Sequence, residues 1–270
     1  MDRFAVLGQP VAHSLSPRIH EAFAAQFGVA LSYEKIEVAP EAFAATLKRL
    51  HADGYRGLNI TLPHKLAALE ACAEVSDAAR TAGAVNTLVR ADAGWSGDNT
   101  DGEGLVRDLL QNLKVTLLAR RVLLLGAGGA ARGVLKPLLQ AQPSELVISS
   151  RTPWVVEKLG EEFRPLGPVR PSTHLALKGD LFDVVINATS AGHQGQTPLL
   201  PGQLLAKGGV AYDLSYGKAH EPFRKWATAQ GAEWVADGLG MLVEQAAASF
   251  SRWLGKKPAT GAVIAQLRAG

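Results

Sequence analysis

The sequence contains a single cysteine and no cluster of like charge, and both features restrict its function. Cys72 is the one cysteine among 270 residues, which excludes an internal disulfide and a cysteine-rich zinc site. The formal net charge is +3, and no run of like charges is longer than a doublet. A protein that binds nucleic acid or a membrane surface concentrates its positive charge, so we expect neither partner. The seven histidines show no ligand spacing such as HExxH, so we expect no metal.

Long apolar segments are also missing. The longest uncharged stretch, 184–206, is interrupted by glycine, proline, asparagine and glutamine, so we expect no membrane-spanning segment. Residues 1–4 lack the basic and then apolar order of a signal peptide. The sequence therefore predicts a soluble protein of a reducing cytoplasm.

The composition and the hydrophobic pattern predict an α/β protein. A length of 270 residues favours two domains, and a hydrophobic fraction of 47% supplies enough apolar material for their cores. Short β-branched or apolar runs alternate with helical stripes, which is typical of mainly parallel sheets. The predicted strands are Phe4–Leu7, Ser32–Val38, Gly57–Ile60, Ala84–Val89, Val122–Leu125, Leu146–Ser149, Val184–Asn187, Val210–Leu214 and Glu233–Val235.

Two helices carry boundary signals, and a third is indicated by its apolar stripe. Ser16 followed by Pro17 predicts a helix with Ser16 as its N-cap, and Gly28 predicts where that helix ends. Thr100 and Glu103 have the spacing of a capping box at the start of a second helix. A third amphipathic helix follows residue 238. The second helix is predicted to have an apolar face formed by Leu105, Val106, Leu109, Leu110 and Leu113.

A glycine-rich turn follows the strand Val122–Leu125 and precedes a helical stripe. Strand, glycine turn and helix form the context in which such glycines indicate binding of a dinucleotide phosphate. Gly126 permits a tight turn, Gly128 lets the backbone approach a pyrophosphate, and the helix N-terminus offers free N–H groups to the anion. Ala131 replaces the third glycine of the usual pattern and is still small. Nucleotide binding is therefore favoured over a purely structural turn.

The end of the next strand indicates which nucleotide binds. An acidic residue at this position would bond the ribose 2′-hydroxyl of NAD, whereas a basic one suits a 2′-phosphate. The segment 149–152 contains Arg151 and no acidic residue. Because arginine is planar and permanently charged, it can clamp a phosphate and stack on adenine. The sequence favours NADP over NAD.

Four polar clusters lie where strands end and helices begin, in the segments 8–17, 59–65, 83–87 and 99–102. Each cluster alone has a structural explanation, such as a helix cap or a turn. Together, their hydroxyls and amides with one lysine and one aspartate suit a small polyhydroxylated acid.

Lys65 and Asp101 are the candidate catalytic pair within these clusters. Lys65 is predicted in the first turn of a helix, where the dipole disfavours a cation, while Asp101 at another helix start is favoured as an anion. A nearby carboxylate would favour the lysine cation again, and the sequence leaves open which effect prevails. An ordinary salt bridge is the alternative explanation of the pair.

Seven segments of this sequence resemble the shikimate dehydrogenases, NADP-dependent enzymes of aromatic amino-acid biosynthesis. The segments fall in order along the chain and cover residues 8–20, 57–65, 83–88, 97–104, 126–132, 187–192 and 237–245. The resemblance implies that Lys65 is the general acid/base and that Asp101 is its partner. It implies shikimate contacts at Ser14, Ser16, Thr61, Lys65, Asn86, Asp101, Tyr216 and Gln245. It implies NADP contacts at Gly126, Ala127, Gly128, Gly129, Ala130, Ser150, Arg151, Thr152, Leu214, Gly238 and Asp77.

The resemblance also implies a fold and a domain organisation. We expect an N-terminal α/β substrate domain with a mainly parallel sheet, a Rossmann-type doubly wound dinucleotide-binding domain, and an active-site cleft between them. The substrate-binding catalytic domain is predicted to comprise residues 1–101 and 239–270, and the NADP-binding domain residues 102–238. We expect a monomer or a homodimer.

The implied reaction is the reversible NADPH-dependent reduction of 3-dehydroshikimate to shikimate, which belongs to chorismate biosynthesis. Three positions depart from the family pattern: Glu21 replaces a common asparagine, Ser150 stands where asparagine is usual, and Val155 stands where a second basic residue is frequent. The last two changes concern the preference for NADP over NAD. The alternatives are a quinate/shikimate dehydrogenase of broader specificity and a non-catalytic NADP-sensing regulator.

Overall fold

The described residues, 1–269, fall into two units in this computed structural model. The first unit contains residues 1–104 and the described chain from residue 242 onward, and the second contains residues 105–241. The sequence-based limits at residues 101 and 238 lie close to these, and the assignment of substrate to one unit and cofactor to the other stays a prediction. No helix among the described residues is long and apolar enough to cross a membrane.

Twelve strands and ten α-helices follow one another along residues 1–269. The strands are β1 (Asp2–Gly8), β2 (Leu31–Glu37), β3 (Gly57–Ile60), β4 (Glu74–Val75), β5 (Thr87–Ala91), β6 (Gly94–Asp98), β7 (Arg121–Leu125), β8 (Glu145–Ser150), β9 (Val169–Thr173), β10 (Phe182–Asn187), β11 (Leu205–Asp213) and β12 (Trp234–Ala236). The helices are α1 (Ser16–Gln26), α2 (Phe43–Ala52), α3 (Lys65–Ala71), α4 (Asp77–Ala82), α5 (Asp101–Arg107), α6 (Gly129–Gln140), α7 (Pro153–Phe163), α8 (Glu221–Ala229), α9 (Leu239–Leu254) and α10 (Gly261–Ala269).

The sheet of the first unit has six strands in the order β2-β1-β3-β5-β6-β4. β1 pairs in parallel with β2 and β3, whereas β5 is antiparallel to both of its neighbours. Alternate residues of β1 enter different clusters, because Ala5 and Leu7 pack on one side and Phe4 and Val6 on the other. β1 and β3 are therefore buried on both faces, and their carboxyl ends lead into two of the polar segments.

The sheet of the second unit is parallel throughout, in the order β12-β11-β10-β7-β8-β9. Val122 and Leu124 pack into one core cluster and Leu123 and Leu125 into another, so helices cover both faces. The strand order reverses between β7 and β10, which is where ligands bind in such folds. The predicted two-domain α/β fold with a doubly wound domain is confirmed.

One helix start differs from the sequence-based prediction. Ser16 is the first residue of α1 rather than its N-cap; Leu15 occupies the cap position and makes no side-chain capping bond. The Ser16 hydroxyl accepts a bond from Ser14 Oγ at 3.2 Å instead. Gly28 does follow the helix end, with a φ of +61° that favours glycine.

The helix that begins at Asp101 does not continue as one α-helix to Leu113. α5 ends at Arg107, and residues 108–112 form a π-helical turn. The wider turn rotates the following side chains relative to an α-helix. Leu105 and Leu109 are fully buried, whereas Leu110, predicted on the same face, is 40% exposed.

Three strands, β4, β6 and β9, were not predicted, and β5 begins at a different residue from the predicted strand. β5 begins at Thr87 and not at Ala84, so Asn86 precedes the strand. β4 has only two residues, β6 contains two glycines, and β9 contains Pro171, and each of these features weakens a strand pattern in sequence.

Candidate active site

Lys65 and Asp101 form an ion pair in the first unit. Lys65 is the first residue of α3 and Asp101 the first residue of α5, and Lys65 Nζ donates to Asp101 Oδ2 at 2.5 Å. The side chain of Lys65 is 27% exposed and that of Asp101 is 15% exposed, so the pair is partly shielded from water but reachable by a ligand. A partly buried ammonium held by a carboxylate can donate a proton at a defined position, and the amine that it leaves can accept a proton there.

Asn86 fixes the carboxylate of this pair. The Asn86 Nδ2 group donates to Asp101 Oδ1 at 2.8 Å and to Thr100 Oγ1 at 2.9 Å. Its Oδ1 accepts from the Thr100 N–H and from Thr87 Oγ1, both at 2.9 Å, which sets the orientation of the amide. Asn86 Nδ2 also lies 3.2 Å from Gln245 Oε1. Both Asn86 and Gln245 are buried, so α9 supplies a polar group to the cluster around Asp101.

A second layer of buried polar groups supports Asn86. Ser249 Oγ lies 2.7 Å from Thr87 Oγ1 and accepts from Asn59 Nδ2 at 3.1 Å. Tyr33 in turn donates its hydroxyl to Asn59 Oδ1 at 2.7 Å. Ser249 and Tyr33 were not predicted from the sequence as site residues. Ser249 follows Gln245 by one helical turn and shares its face, so the i, i+4 spacing was the available signal.

The predicted substrate hydroxyls of Ser14, Ser16 and Thr61 lie in the same unit. Ser14 Oγ bonds Ser16 Oγ and also accepts from the Ser16 N–H at 3.3 Å. Thr61 opens the turn into α3, where its carbonyl accepts from the His64 N–H at 3.0 Å, immediately before Lys65. The structure thus brings Lys65, Asp101, Asn86 and Gln245 together by direct contacts, and Thr61 is linked to Lys65 along the chain.

His20 packs beneath this region in an aromatic stack. Its ring lies 4.5 Å from that of Tyr33 at an interplanar angle of 8°, and 5.0 Å from the ring of Trp253. Burial lowers the pKa of His20 from 6.5 to about 3, and a neighbouring Asn59 offsets only part of this. His20 is therefore neutral in the folded protein at ordinary pH, and its contribution here is packing of the Tyr33 ring.

We expect the stability of the protein to depend on the neutral state of His20. The folded-state pKa is lowered, so as the pH falls below 6.5 the unfolded chain binds a proton that the folded chain does not, and the free energy of unfolding decreases. His20→Phe keeps an aromatic ring and removes this proton uptake. Between pH 6.5 and pH 4 the free energy of unfolding, measured by urea denaturation, should decrease by roughly 3 kcal/mol less in the variant than in the parent. The exposed-site variant His13→Gln serves as the control, and identical pH profiles for parent and His20→Phe would contradict the prediction.

In the second unit, the glycine turn has the geometry of a phosphate site. β7 ends at Leu125, Gly128 is the N-cap of α6, and Gly126 has a φ of +112°. A Cβ at Gly126 would lie 3.0 Å from the Ala188 carbonyl oxygen, whereas no atom lies within 4 Å of a Cβ at Gly128 or Gly129. The turn is thus closed behind Gly126 and open in front of the helix N-terminus, which fits a pyrophosphate.

This difference predicts separate effects for two alanine substitutions. Gly126→Ala introduces a side chain at positive φ against the Ala188 carbonyl, so it should destabilise the protein by about 1–3 kcal/mol. Gly128→Ala places its Cβ where a pyrophosphate would lie, so it should leave Tm unchanged and raise the Kd for NADP+. Thermal unfolding and nucleotide titration of both variants check this. A lower Tm for Gly128→Ala, or an unchanged Tm for Gly126→Ala, would refute the assignment.

Arg151 follows β8 as an exposed cation. The preceding Ser150 hydroxyl accepts from the Thr152 N–H at 3.0 Å, which shapes the chain around Arg151. His174 lies next to this segment with its Nδ1 2.8 Å from Ser149 Oγ. Burial, and then the Arg151 charge, hold the pKa of His174 below its usual value. The permanent positive charge at this strand end is therefore that of Arg151.

The remaining predicted cofactor residues fall in both units. Leu214 and Gly238 are in backbone contact, because a Cβ at Gly238 would lie 2.1 Å from the Leu214 carbonyl oxygen. Tyr216, which was predicted as a substrate contact, is also half-buried in the second unit, and burial raises its pKa. Asp77 lies in the first unit, exposed in the first turn of α4. All other predicted NADP contacts lie in the second unit.

Comparison with known proteins decides the family. The model of the shikimate dehydrogenase substrate binding domain matches residues 6–88, that of shikimate / quinate 5-dehydrogenase residues 108–199, and that of the shikimate 5′-dehydrogenase C-terminal domain residues 238–268. A protein named shikimate dehydrogenase (NADP(+)) from Thioalkalivibrio sulfidiphilus is 50% identical over 99% of this chain and 98% of its own length. The chain belongs to the shikimate dehydrogenase family.

Two solved structures have the same fold as this chain. The Ael1 enzyme from Pseudomonas putida is similar with a TM-score of 0.93 and 45% identity, covering 99% of this chain and 98% of that one. Shikimate 5-dehydrogenase from Thermus thermophilus, solved in complex with NADP(H) and shikimate, gives a TM-score of 0.85 at 34% identity and covers 100% and 99% of the two chains. The family predicted from the sequence is confirmed.

Proposed function

We propose that this shikimate dehydrogenase family member catalyses the reversible NADPH-dependent reduction of 3-dehydroshikimate to shikimate. The observation that carries the proposal is the Lys65–Asp101 pair, partly shielded and held by Asn86, in a chain half identical to proteins named for this reaction. The reaction needs one proton donor at the carbonyl oxygen and a set of groups that bind hydroxyls, and the first unit contains both.

Lys65 supplies the proton in this mechanism. In the direction of reduction, its ammonium donates a proton to the C3 oxygen of the substrate, and in the direction of oxidation the amine accepts it back. Asp101 holds the ammonium in place through the 2.5 Å contact, and Asn86 keeps the carboxylate oriented. The pair therefore defines where the C3 oxygen has to lie.

Hydrogen bonds to the substrate's own hydroxyl and carboxylate groups give specificity. We assign these contacts to Ser14, Ser16, Thr61, Asn86, Tyr216 and Gln245, together with Lys65 and Asp101. Sites that bond a substrate hydroxyl reject analogues that lack it, because their buried polar groups are then left without a partner.

The second unit fits NADP. The open space before Gly128 and Gly129 accepts a pyrophosphate, and Arg151 provides the cation for a 2′-phosphate. When bound, NADPH supplies the hydride for the C3 carbon. The proposed contacts of the cofactor are Gly126, Ala127, Gly128, Gly129, Ala130, Ser150, Arg151, Thr152, Leu214, Gly238 and Asp77. We also propose that the enzyme works in the cytoplasm, in chorismate biosynthesis, as a monomer or a homodimer.

Initial rates with both substrates and both cofactors test the function. We expect shikimate with NADP+ to give the highest kcat/KM among the four combinations of shikimate or quinate with NADP+ or NAD+. A higher value for quinate, or for NAD+, would favour a quinate/shikimate dehydrogenase instead. Absence of any cofactor reduction would favour the non-catalytic regulator, against which the intact Lys65–Asp101 pair argues.

A further inference from the structure

The proposed mechanism leaves one buried carboxylate unused. Asp213 ends β11 and is fully buried. Its Oδ1 accepts from Asn187 Nδ2 at 3.0 Å and from the Ser215 N–H at 3.1 Å, and its Oδ2 lies 3.2 Å from His220 Nδ1. Burial raises the pKa of Asp213, and these donors oppose the shift. Because the ionised carboxylate can only accept, the His220 Nδ1–H donates to it.

The Asp213–His220 contact closes the loop of residues 214–219 at its base. This loop, which we call the 214–219 loop, contains Leu214 and Tyr216, a proposed cofactor contact and a proposed substrate contact. The loop runs into a short helical turn, Gly217–His220, which returns the His220 ring to Asp213. One side-chain contact thus joins the residues that precede and follow the loop.

Backbone bonds hold the same loop from two other segments. The Leu214 N–H donates to the Asn187 carbonyl at 2.9 Å, and the Gly238 N–H donates to the Ser215 carbonyl at 3.0 Å. Asn187 also orients the chain after β10, because its Oδ1 accepts from Thr189 Oγ1 at 2.8 Å. Removing the His220 side chain therefore breaks its contact with Asp213 but leaves the backbone bonds of Leu214 and Ser215 in place.

The sheet order places this loop on the side of the nicotinamide half of the cofactor. The pyrophosphate site lies after β7, and Arg151, the proposed 2′-phosphate contact, follows β8 on one side of β7. β10 and β11 lie on the other side of β7. A dinucleotide that spans the carboxyl ends of these strands has its adenosine half over β8 and its other half over β10 and β11.

We propose that Asp213 and His220 are positioning residues that fix the 214–219 loop in its ligand-binding conformation and thereby set the affinity for the nicotinamide half of NADP. This inference rests on the proposed function. A loop that is not fixed in the free protein has to be ordered on binding, and that ordering reduces the affinity. The adenosine half contacts other segments, so its binding does not depend on the pair.

Titration calorimetry of the full-length protein with NADP+ and with 2′,5′-ADP separates the two halves, since 2′,5′-ADP lacks the nicotinamide. We expect His220→Ala to raise the Kd for NADP+ about tenfold and to leave the Kd for 2′,5′-ADP within about twofold. His220→Asn, which restores an N–H near the position of Nδ1, should return the Kd for NADP+ to within about threefold of the parent. Asp213→Asn keeps an acceptor for the Ser215 N–H but loses the charge that faces His220. This variant should raise the Kd for NADP+ about threefold, again with little effect on the Kd for 2′,5′-ADP.

Tyr212→Phe is the matched control for a general loss of stability. Tyr212 precedes Asp213 on β11 and donates its buried hydroxyl to Asp108 Oδ2 at 2.7 Å. We expect this variant to lower Tm without changing either Kd. Equal weakening of both ligands by His220→Ala, or an unchanged Kd for NADP+ in that variant, would overturn the inference. The calorimetry measures binding alone, so a failure of the parent to oxidise shikimate would count against the proposed function and not against this loop.

Discussion

Lys65→Ala is expected to lower kcat for shikimate oxidation at least about 100-fold, with a much smaller change in KM. The variant loses the one group proposed to transfer the proton, while the proposed hydroxyl contacts around the substrate remain. The Asp101 carboxylate keeps its bond from Asn86, so the neighbouring structure should persist. Initial rates at saturating NADP+ give kcat and KM directly.

Lys48→Ala provides the control for the loss of a lysine in the same unit. Lys48 lies exposed on α2, so this variant should retain the parental kcat. Near-normal turnover of Lys65→Ala would remove Lys65 from the mechanism.

Arg151→Ser is expected to lower kcat/KM for NADP+ about 10- to 100-fold and to leave kcat/KM for NAD+ nearly unchanged. A charge-assisted hydrogen bond is worth about 1.5–3 kcal/mol, and the 2′-phosphate is the group that distinguishes the two cofactors. Val155, half-buried in α7, supplies no second cation, so Arg151 should carry most of the discrimination. Initial rates with each cofactor at saturating shikimate measure this discrimination between NADP+ and NAD+.

Arg164→Ser, an exposed arginine just beyond the other end of α7, is the corresponding control and should affect neither cofactor. An equal loss with NADP+ and NAD+ in Arg151→Ser would show that Arg151 contacts a part common to both cofactors. An unchanged rate with NADP+ would exclude Arg151 from the site.

The parts of the fold that the sequence predicted are those whose signals are local. β3 and the β7–glycine–α6 unit were found where apolar runs meet glycine or a polar end. The π-helical turn at 108–112 could not be predicted, because its sequence has the spacing of an ordinary amphipathic helix. Ser16 was misassigned as an N-cap because the helical backbone begins one residue earlier than serine before proline indicates, with Leu15 at the cap position.

For the candidate site, the sequence identified residues but not the contacts that hold them. Lys65 and Asp101 were predicted as a pair, and the structure places them 2.5 Å apart, while their catalytic role stays a prediction. The bond from Asn59 to Ser249 joins residues 190 positions apart in the chain. No local pattern reports such a pairing, because it depends on how α9 packs against β3 and β5. The spacing of four residues from Gln245 marks Ser249 in the sequence, but its bond to Asn59 is visible only in the structure.

The most direct test is the distance between Lys65 Nζ and the C3 oxygen in a crystal structure of the protein with shikimate and NADP+ bound. We predict about 3 Å, the length of a hydrogen bond, with Asp101 still bonded to Lys65 and the C4 atom of the nicotinamide facing C3 of the substrate. A complex in which Lys65 points away from the C3 oxygen, or in which the two side chains have separated, would contradict the proposed mechanism.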